Sequence, residues 1–383
     1  MSTPSAFVAP CVRPLVRRLA RCGAGVLLFA VTAASALAQT GDAPEAEPAS
    51  PTFDRGISIG HWLAKVDEAV GYGTDWFGPE DVRWIAAQGF DHVRYPVDGR
   101  LWRNDDGSLR EDRIAPFADA LRWTTEAGLS TVLDMHFLPG GTYDPNTQDE
   151  RRFTDPAEAA VAADFIRRVA LRFQDEGPAL RIELLNEPTA PSSADLNRLY
   201  GSLVEAVRTV DASRVLYISS NRSGSFETLR EVAFPDDPHV ALLLHYDEPS
   251  VFTHQRTPWK GYPDEMPPVP FPGVVPDLAP YLPADHEAVA ASGTTLTVGQ
   301  VEDDFAAATA WVQAQAPGIE MYVGGFGAYE RAPDASRQAY IRAVREAAEA
   351  NGWGWCVWDY KSSFGVRTAD GDTTAVLAGL FDR

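Results

Sequence analysis

The short apolar runs of this chain end at Arg94, His136, the pair Asn186-Glu187, His245, Gly325 and Trp358. A guanidinium, two imidazoles, an amide beside a carboxylate and an indole can hold charge, move protons and grip a ligand. Polar residues that close buried runs either pair with one another or build a site, and this many at corresponding places favour a site. The set does not read as a metal centre: His136, His245 and His254 are not spaced on one element, and no cysteine joins them. A serine-histidine hydrolase and a bound cofactor are likewise not expected.

The elements that must position these residues follow from periodicity. Eight apolar runs lack polar alternation, as strands buried on both faces do: 55–60, 90–97, 129–136, 180–187, 214–220, 239–246, 319–327 and 352–360. Helical spacing falls between them at 79–87, 114–127, 156–173, 195–210, 305–315 and 335–350. Strands alternating with helices in this way predict an α/β fold, a single-domain (β/α)8 TIM barrel over 53–383. In such a barrel the carboxyl ends of the strands carry the chemistry. An open doubly wound sheet competes, but no Gly-rich phosphate loop follows the first strand. Residues 253–285 are proline-rich and have no helical period, which predicts a functional loop over the active face.

Charge and targeting narrow the setting. The net charge is −21, with Lys65, Lys260 and Lys361 as the only lysines, which argues against nucleic acid or an anionic membrane as partner. Arg13, Arg17, Arg18 and Arg21 precede the apolar run 23–37 and the small-x-small triplet Ala36-Leu37-Ala38. Residues 1–38 therefore read as a cleaved signal peptide and 39–52 as a disordered leader. The expected location is secreted or periplasmic, with no membrane attachment after cleavage. Cys11 and Cys22 leave with the signal, so Cys356 stands alone and the fold relies on core burial.

Several fragments then fall in a telling order. They are Arg55-Gly56-Ile57-Ser58-Ile59-Gly60, His92-Val93-Arg94-Tyr95-Pro96, Leu133-Asp134-Met135-His136 and Asn186-Glu187-Pro188. Phe252-Thr253-His254-Gln255, Gly324-Gly325-Phe326-Gly327 and Trp355-Cys356-Val357-Trp358 follow. In this order, from Arg55 to Tyr360, the chain resembles glycoside hydrolase family 5. The resemblance implies a barrel acting on or binding β-1,4- or mixed-linkage β-glucan, with mannan and xylan open. It implies Glu187 as the general acid/base with a raised pKa, Asn186 as the partner of a sugar 2-hydroxyl, and Arg94 as the brace of a nucleophile. His136 and His245 would line the subsite beside the cleaved bond, over Trp358 as platform. Ion pairing with Asp134 is the competing role for Arg94, and barrel-end packing for Trp358. Trp62, Trp102, Phe137, Tyr143 and Trp259 could extend the cleft, whereas Glu183, inside its strand, reads as structural.

Two positions depart from the family pattern. Retaining glycosidases need a second carboxylate roughly 5–5.5 Å from the first. In the family it lies within Gly-Glu-Phe-Gly, and here Gly325 takes its place. The family's strand-6 tyrosine falls on Asp247 in the ungapped reading, and on Tyr246 with a slip of one residue. Three explanations follow: an inactive glucan-binding barrel, a glycosidase in which Asp247 replaces the lost carboxylate, or an isolated change in a competent enzyme. Loss at both positions counts against the third. Neither Glu320, expected to face away from Gly325, nor Glu330, in the following loop, reads as a substitute.

Overall fold

Residues 51–64, 76–140 and 151–381 are described by the computed structural model. The signal and nearly all of the leader expected at the amino end lie outside these residues, as does Tyr143.

Eight strands close into one parallel barrel: β1 (Arg55–Ser58), β2 (His92–Asp98), β3 (Ser130–Phe137), β4 (Leu180–Glu183), β5 (Leu216–Ser219), β6 (Val240–His245), β7 (Met321–Gly325) and β8 (Gly354–Val357). Each pairs with its neighbours in sequence, and β8 returns to pair with β1, so no edge is left open. Six longer helices cover the outside: α1 (Pro79–Gln88), α2 (Glu111–Glu126), α3 (Pro156–Arg172), α4 (Ser193–Arg208), α5 (Val298–Gln315) and α6 (Asp334–Ala350). Their starts carry local signals. Pro79 and Pro156 stand at first positions, the Asp155 side chain accepts from Ala157 N–H, and Thr297 with Gln300 forms a capping box.

Side-chain alternation divides the core. Ile57, Val93, Tyr95, Leu133, Ile182, Leu242 and Val323 face outward into one large apolar layer against the helices. Phe53, Val132, Tyr217, Leu243, Tyr322 and Cys356 fill the barrel interior. Toward the carboxyl ends this interior turns polar, with Arg94, Asp134, Glu183 and Ser58 all buried.

One irregularity decides how β7 meets the site. Along β6 and β7, Leu244 pairs with Val323 but His245 pairs with Gly325, so Gly324 is an extra residue. The bulge reverses the alternation and turns position 325 inward beside His245. It also undoes the expectation that Glu320 faces away from Gly325. Glu320 pairs with Arg181, whose guanidinium lies over Phe53 at the amino end of the barrel, so distance along the barrel and not its face removes it.

The proline-rich segment after β6 is more packed than the sequence suggests. Met266, Val269, Phe271, Val275 and Leu278 are buried, and Gly273–Val274 pairs antiparallel with Thr295–Leu296. Gln255 fixes the segment by bonding Val269 through both main-chain groups, while Phe271 packs on Tyr340 of α6. The segment therefore lies mainly against the helical layer, and only its first part, near His254 and Trp259, reaches the active face.

Candidate active site

A cleft of about 720 Å³ opens at the carboxyl ends of the strands. Asn186, Glu187, His136, His245, Asp247, Gly325, Trp358 and Trp259 line it, so most of the residues singled out in the sequence meet there. Among the described lining residues, Glu187 and Asp247 are the only carboxylates.

Beneath the cleft, Arg94 organises the floor. Its Nε and one terminal nitrogen bond both oxygens of Glu183 at 2.7 and 2.8 Å, and Asp134 lies 2.9 Å away. These two carboxylates neutralise a fully buried cation, and burial is the largest influence on its pKa; the two opposing charges outweigh it and raise that pKa. The pairing with Asp134 is thus the role Arg94 plays. Arg94 does not line the cleft, and its expected place among substrate-binding residues is corrected to one of positioning. It donates to Asn186 Oδ1 at 2.8 Å, which turns the Asn186 amide nitrogen away from the oxygen-binding guanidinium. Asp134 also bonds His136 Nδ1 at 2.8 Å, and the His136 ring stacks on Trp358 at 9° with centroids 6.0 Å apart. One buried ion cluster therefore sets an amide, an imidazole and an indole.

Glu187 follows β4, on a backbone held at φ 40°. For a residue other than glycine this left-handed geometry is costly, and its occurrence at a cleft carboxylate fits a functional constraint. His245 Nδ1 approaches Glu187 Oε1 at 3.0 Å. Burial pushes the Glu187 carboxyl up, but the bond to His245 and the charges of His245, His136 and Arg94 prevail and hold it at about 2. The expected raised pKa is therefore reversed. The physical reason is His245, whose hydrogen bond and charge are the largest influences favouring the anion.

Gly325 itself has no left-handed backbone, and the nearest atoms that a Cβ built on it would meet are those of the His245 ring, at 3.5 Å. The position has room for a side chain and lacks one. Asp247, two residues beyond His245, returns to the inner face. Burial pushes its carboxyl up, His254 pulls it back, and the charge on Glu187 pushes it further. Tyr246 points the other way. Its ring packs on Phe226 and Phe305, and its hydroxyl donates to Asp304 at 2.8 Å. The slipped alignment fails, and Tyr246 is removed from the substrate-binding set.

Trp62 is removed as well, because it is buried against Phe77 and Tyr95 in the outer core. Trp102 is buried too, beside Phe117. Phe137 and Trp259 do reach the cleft, and Trp259 is 62% exposed. Sequence reasoning missed His61, Phe153, Ser223 and Phe364 as lining residues. His61 and Phe364 lie just past strand ends and could have been found there. Ser223, held at φ 63° in the turn after β5, gave no signal. The string Gly56-Ile57-Ser58-Ile59-Gly60 has the spacing of a serine-hydrolase elbow, but Ser58 is buried within β1 and accepts from Arg94 at 3.3 Å. Among the described residues, no group of three or more His, Cys, Asp or Glu is arranged to hold a metal ion.

The model of the family "Cellulase (glycosyl hydrolase family 5)" matches residues 62–363. The chain belongs to glycosyl hydrolase family 5. Within curated relatives, it is 34% identical over 211 residues to endoglucanase C of Acetivibrio thermocellus, across 54% of this chain and 61% of that protein. Endoglucanase 3 of Fibrobacter succinogenes is 25% identical over 355 residues, across 84% of this chain and 52% of that protein. The chain thus spans 61% and 52% of the length of these two relatives. Among solved structures, an endoglucanase superposes with a TM-score of 0.69 at 21% identity, covering 86% of this chain and 96% of that one. At that identity the likeness carries the barrel, which is the family 5 fold. The site geometry above is this chain's own.

Proposed function

We propose that the protein binds β-1,4- or mixed-linkage β-glucan across the cleft and cleaves it by a single displacement, with Glu187 as proton donor and water as the attacking group. The observation that carries this reading is the survival of the sugar-binding groups around a missing nucleophile. Asn186, His136 and Trp358 are held in one arrangement by the Arg94 cluster, while position 325 offers space and no carboxylate. A covalent glycosyl intermediate on residue 325 is therefore ruled out chemically. The Acetivibrio and Fibrobacter relatives are endoglucanases by name, which supports the choice of β-glucan. Export is part of the same reading and rests on residues 1–38 alone.

A second reading has its own support. A carboxyl held at about 2 is ionised at neutral pH and is a poor proton donor, which favours a glucan-binding protein with no turnover. One experiment separates the two. Binding and reducing-sugar release are measured on carboxymethylcellulose, mixed-linkage glucan, mannan and xylan, with Glu187→Gln as the reference. Release above that reference supports hydrolysis. Binding without such release leaves the binding reading, and neither would overturn both.

A further inference from the structure

Glu187 sits in a short segment pinned at both ends. The Asn186 N–H donates to the Met135 carbonyl of β3 at 3.1 Å. At the other end the Asn221 side chain grips Ala190 twice. Its Oδ1 accepts from the Ala190 N–H at 2.8 Å, and its Nδ2 donates to the Ala190 carbonyl at 3.0 Å. Between these anchors the Ser223 N–H donates to the Pro188 carbonyl at 3.0 Å. Asn221 is buried just beyond β5 and lies outside the cleft lining.

The turn that presents Asn221 is costly to build. Arg222 and Ser223 follow at φ 52° and 63°, left-handed torsions that residues with a side chain avoid. Behind the turn, Thr228 Oγ1 donates to the Asn221 carbonyl at 2.6 Å, and Ser220 Oγ to the Ser225 carbonyl at 2.7 Å. Gly224 then closes on β6: a Cβ there would stand 2.9 Å from Ser219 Oγ and 3.2 Å from the His245 backbone nitrogen. One turn therefore touches both the segment that carries Glu187 and the histidine that bonds its carboxylate. Strained torsions persist where surrounding bonds over-determine them, and the φ of 40° at Glu187 is such a case.

We infer that Asn221 is the positioning residue of Glu187: its two bonds to Ala190 fix the backbone on which the Glu187 carboxylate meets His245. An amide is suited to this task because it accepts and donates at once, matching both main-chain groups of one residue. Without the brace, residues 187–190 can relax and the contact with His245 lengthens. Glu187 also faces the charges of His136, Arg94 and Asp247. Arg94 and His136 are held by Glu183 and Asp134, so loss of the brace acts chiefly on the His245 contact. The inference rests on Glu187 being the working carboxylate of the cleft, as proposed above. Its readout is ionisation and needs no turnover, so the two fail separately.

The test follows the Glu187 carboxyl by carbon-detected NMR and the His245 ring by nitrogen NMR, in the full chain. Burial pushes the Glu187 carboxyl up, and the bond to His245 leads the influences that bring it down to about 2. In Asn221→Ala its midpoint should therefore rise by about one pH unit or more. Burial lowers the His245 pKa and the same bond raises it, so the His245 midpoint should fall. That second midpoint is read near neutral pH, where acid unfolding does not intervene. Asn221→Leu keeps the volume while deleting both bonds, should shift both midpoints the same way, and carries the test if the alanine variant does not fold. Trp62→Ala, destabilised in the outer core, should leave both midpoints as in the parent. Midpoints within about 0.3 pH unit of the parent in a folded Asn221 variant, or an equal shift in Trp62→Ala, would overturn the inference. Absence of glucan hydrolysis by the parent would sink the hydrolytic reading and leave these shifts unaffected.

Discussion

The Nδ1 atom of His245 lies 3.0 Å from Oε1 of Glu187, and the ring's other nitrogen has no hydrogen-bond partner among the described residues. In a barrel with a carboxylate at position 325, the same ring would stand between two acids. Here it serves one, and Glu187 is left strongly stabilised as an anion.

Gly325→Glu should therefore change Glu187 itself. The new Cβ meets nothing closer than 3.5 Å and the backbone needs no strain, so the variant should fold. A second carboxylate disfavours ionisation of the first, and the Glu187 midpoint should rise by at least one pH unit from about 2. Carbon-detected NMR of labelled glutamate reads this directly. Reducing-sugar release should rise at least tenfold; equal turnover in parent and variant would show that position 325 is not what limits the chain.

The same carboxyl should leave a mark on acid stability. Its folded pKa is depressed below the ordinary 4.5, so its stabilisation is complete above about pH 4.5 and is lost as pH falls toward about 2. The side chain is 45% exposed, so solvent screens much of this contribution. Glu187→Gln should therefore flatten the decline of the urea midpoint modestly between pH 4.5 and 2 and leave it unchanged near pH 7 in slope. A parallel acid limb in both proteins would contradict the assignment.

Arg94→Ala should be among the most destabilising single changes in the barrel. It strands Glu183 and Asp134, both fully buried, without their shared cation. Breaking a buried ion pair in this way costs about 3–5 kcal/mol, measurable by urea denaturation at neutral pH. A loss below 1 kcal/mol would mean that the cluster relaxes or admits water.

Trp358 and Trp62 should separate binding from stability. Trp358→Ala removes the cleft platform stacked on His136 and should weaken glucan binding at least tenfold, read by affinity electrophoresis in glucan gels. Trp62→Ala removes a core ring packed on Phe77 and should cost about 3–5 kcal/mol of stability. Glucan affinity of the folded fraction should be unchanged.

Tyr246→Phe supplies the control for the strand-6 alignment. It deletes one bond, to Asp304, at a cost of about 1 kcal/mol, and should leave glucan binding and any turnover as in the parent. A large loss of either would return Tyr246 to the site.

The sequence by itself determined the barrel, because unbroken apolar runs alternating with helical periods leave little other way to cover every strand. It also located Glu187, Asn186, His136, His245 and Trp358, since a carboxyl strand end is visible as the last residue of an apolar run. Three decisions needed the tertiary structure. Whether an aromatic past a strand end points to the cleft or the core depends on a turn of backbone, which sent Trp259 one way and Trp62 the other. The bulge at Gly324 reversed the parity of β7, a change of one residue in register that no periodicity records. Finally, the ionisation of Glu187 is a sum of charges within a few ångströms, contributed by strands far apart in sequence. Only their convergence reveals an acid held as an anion beside His245.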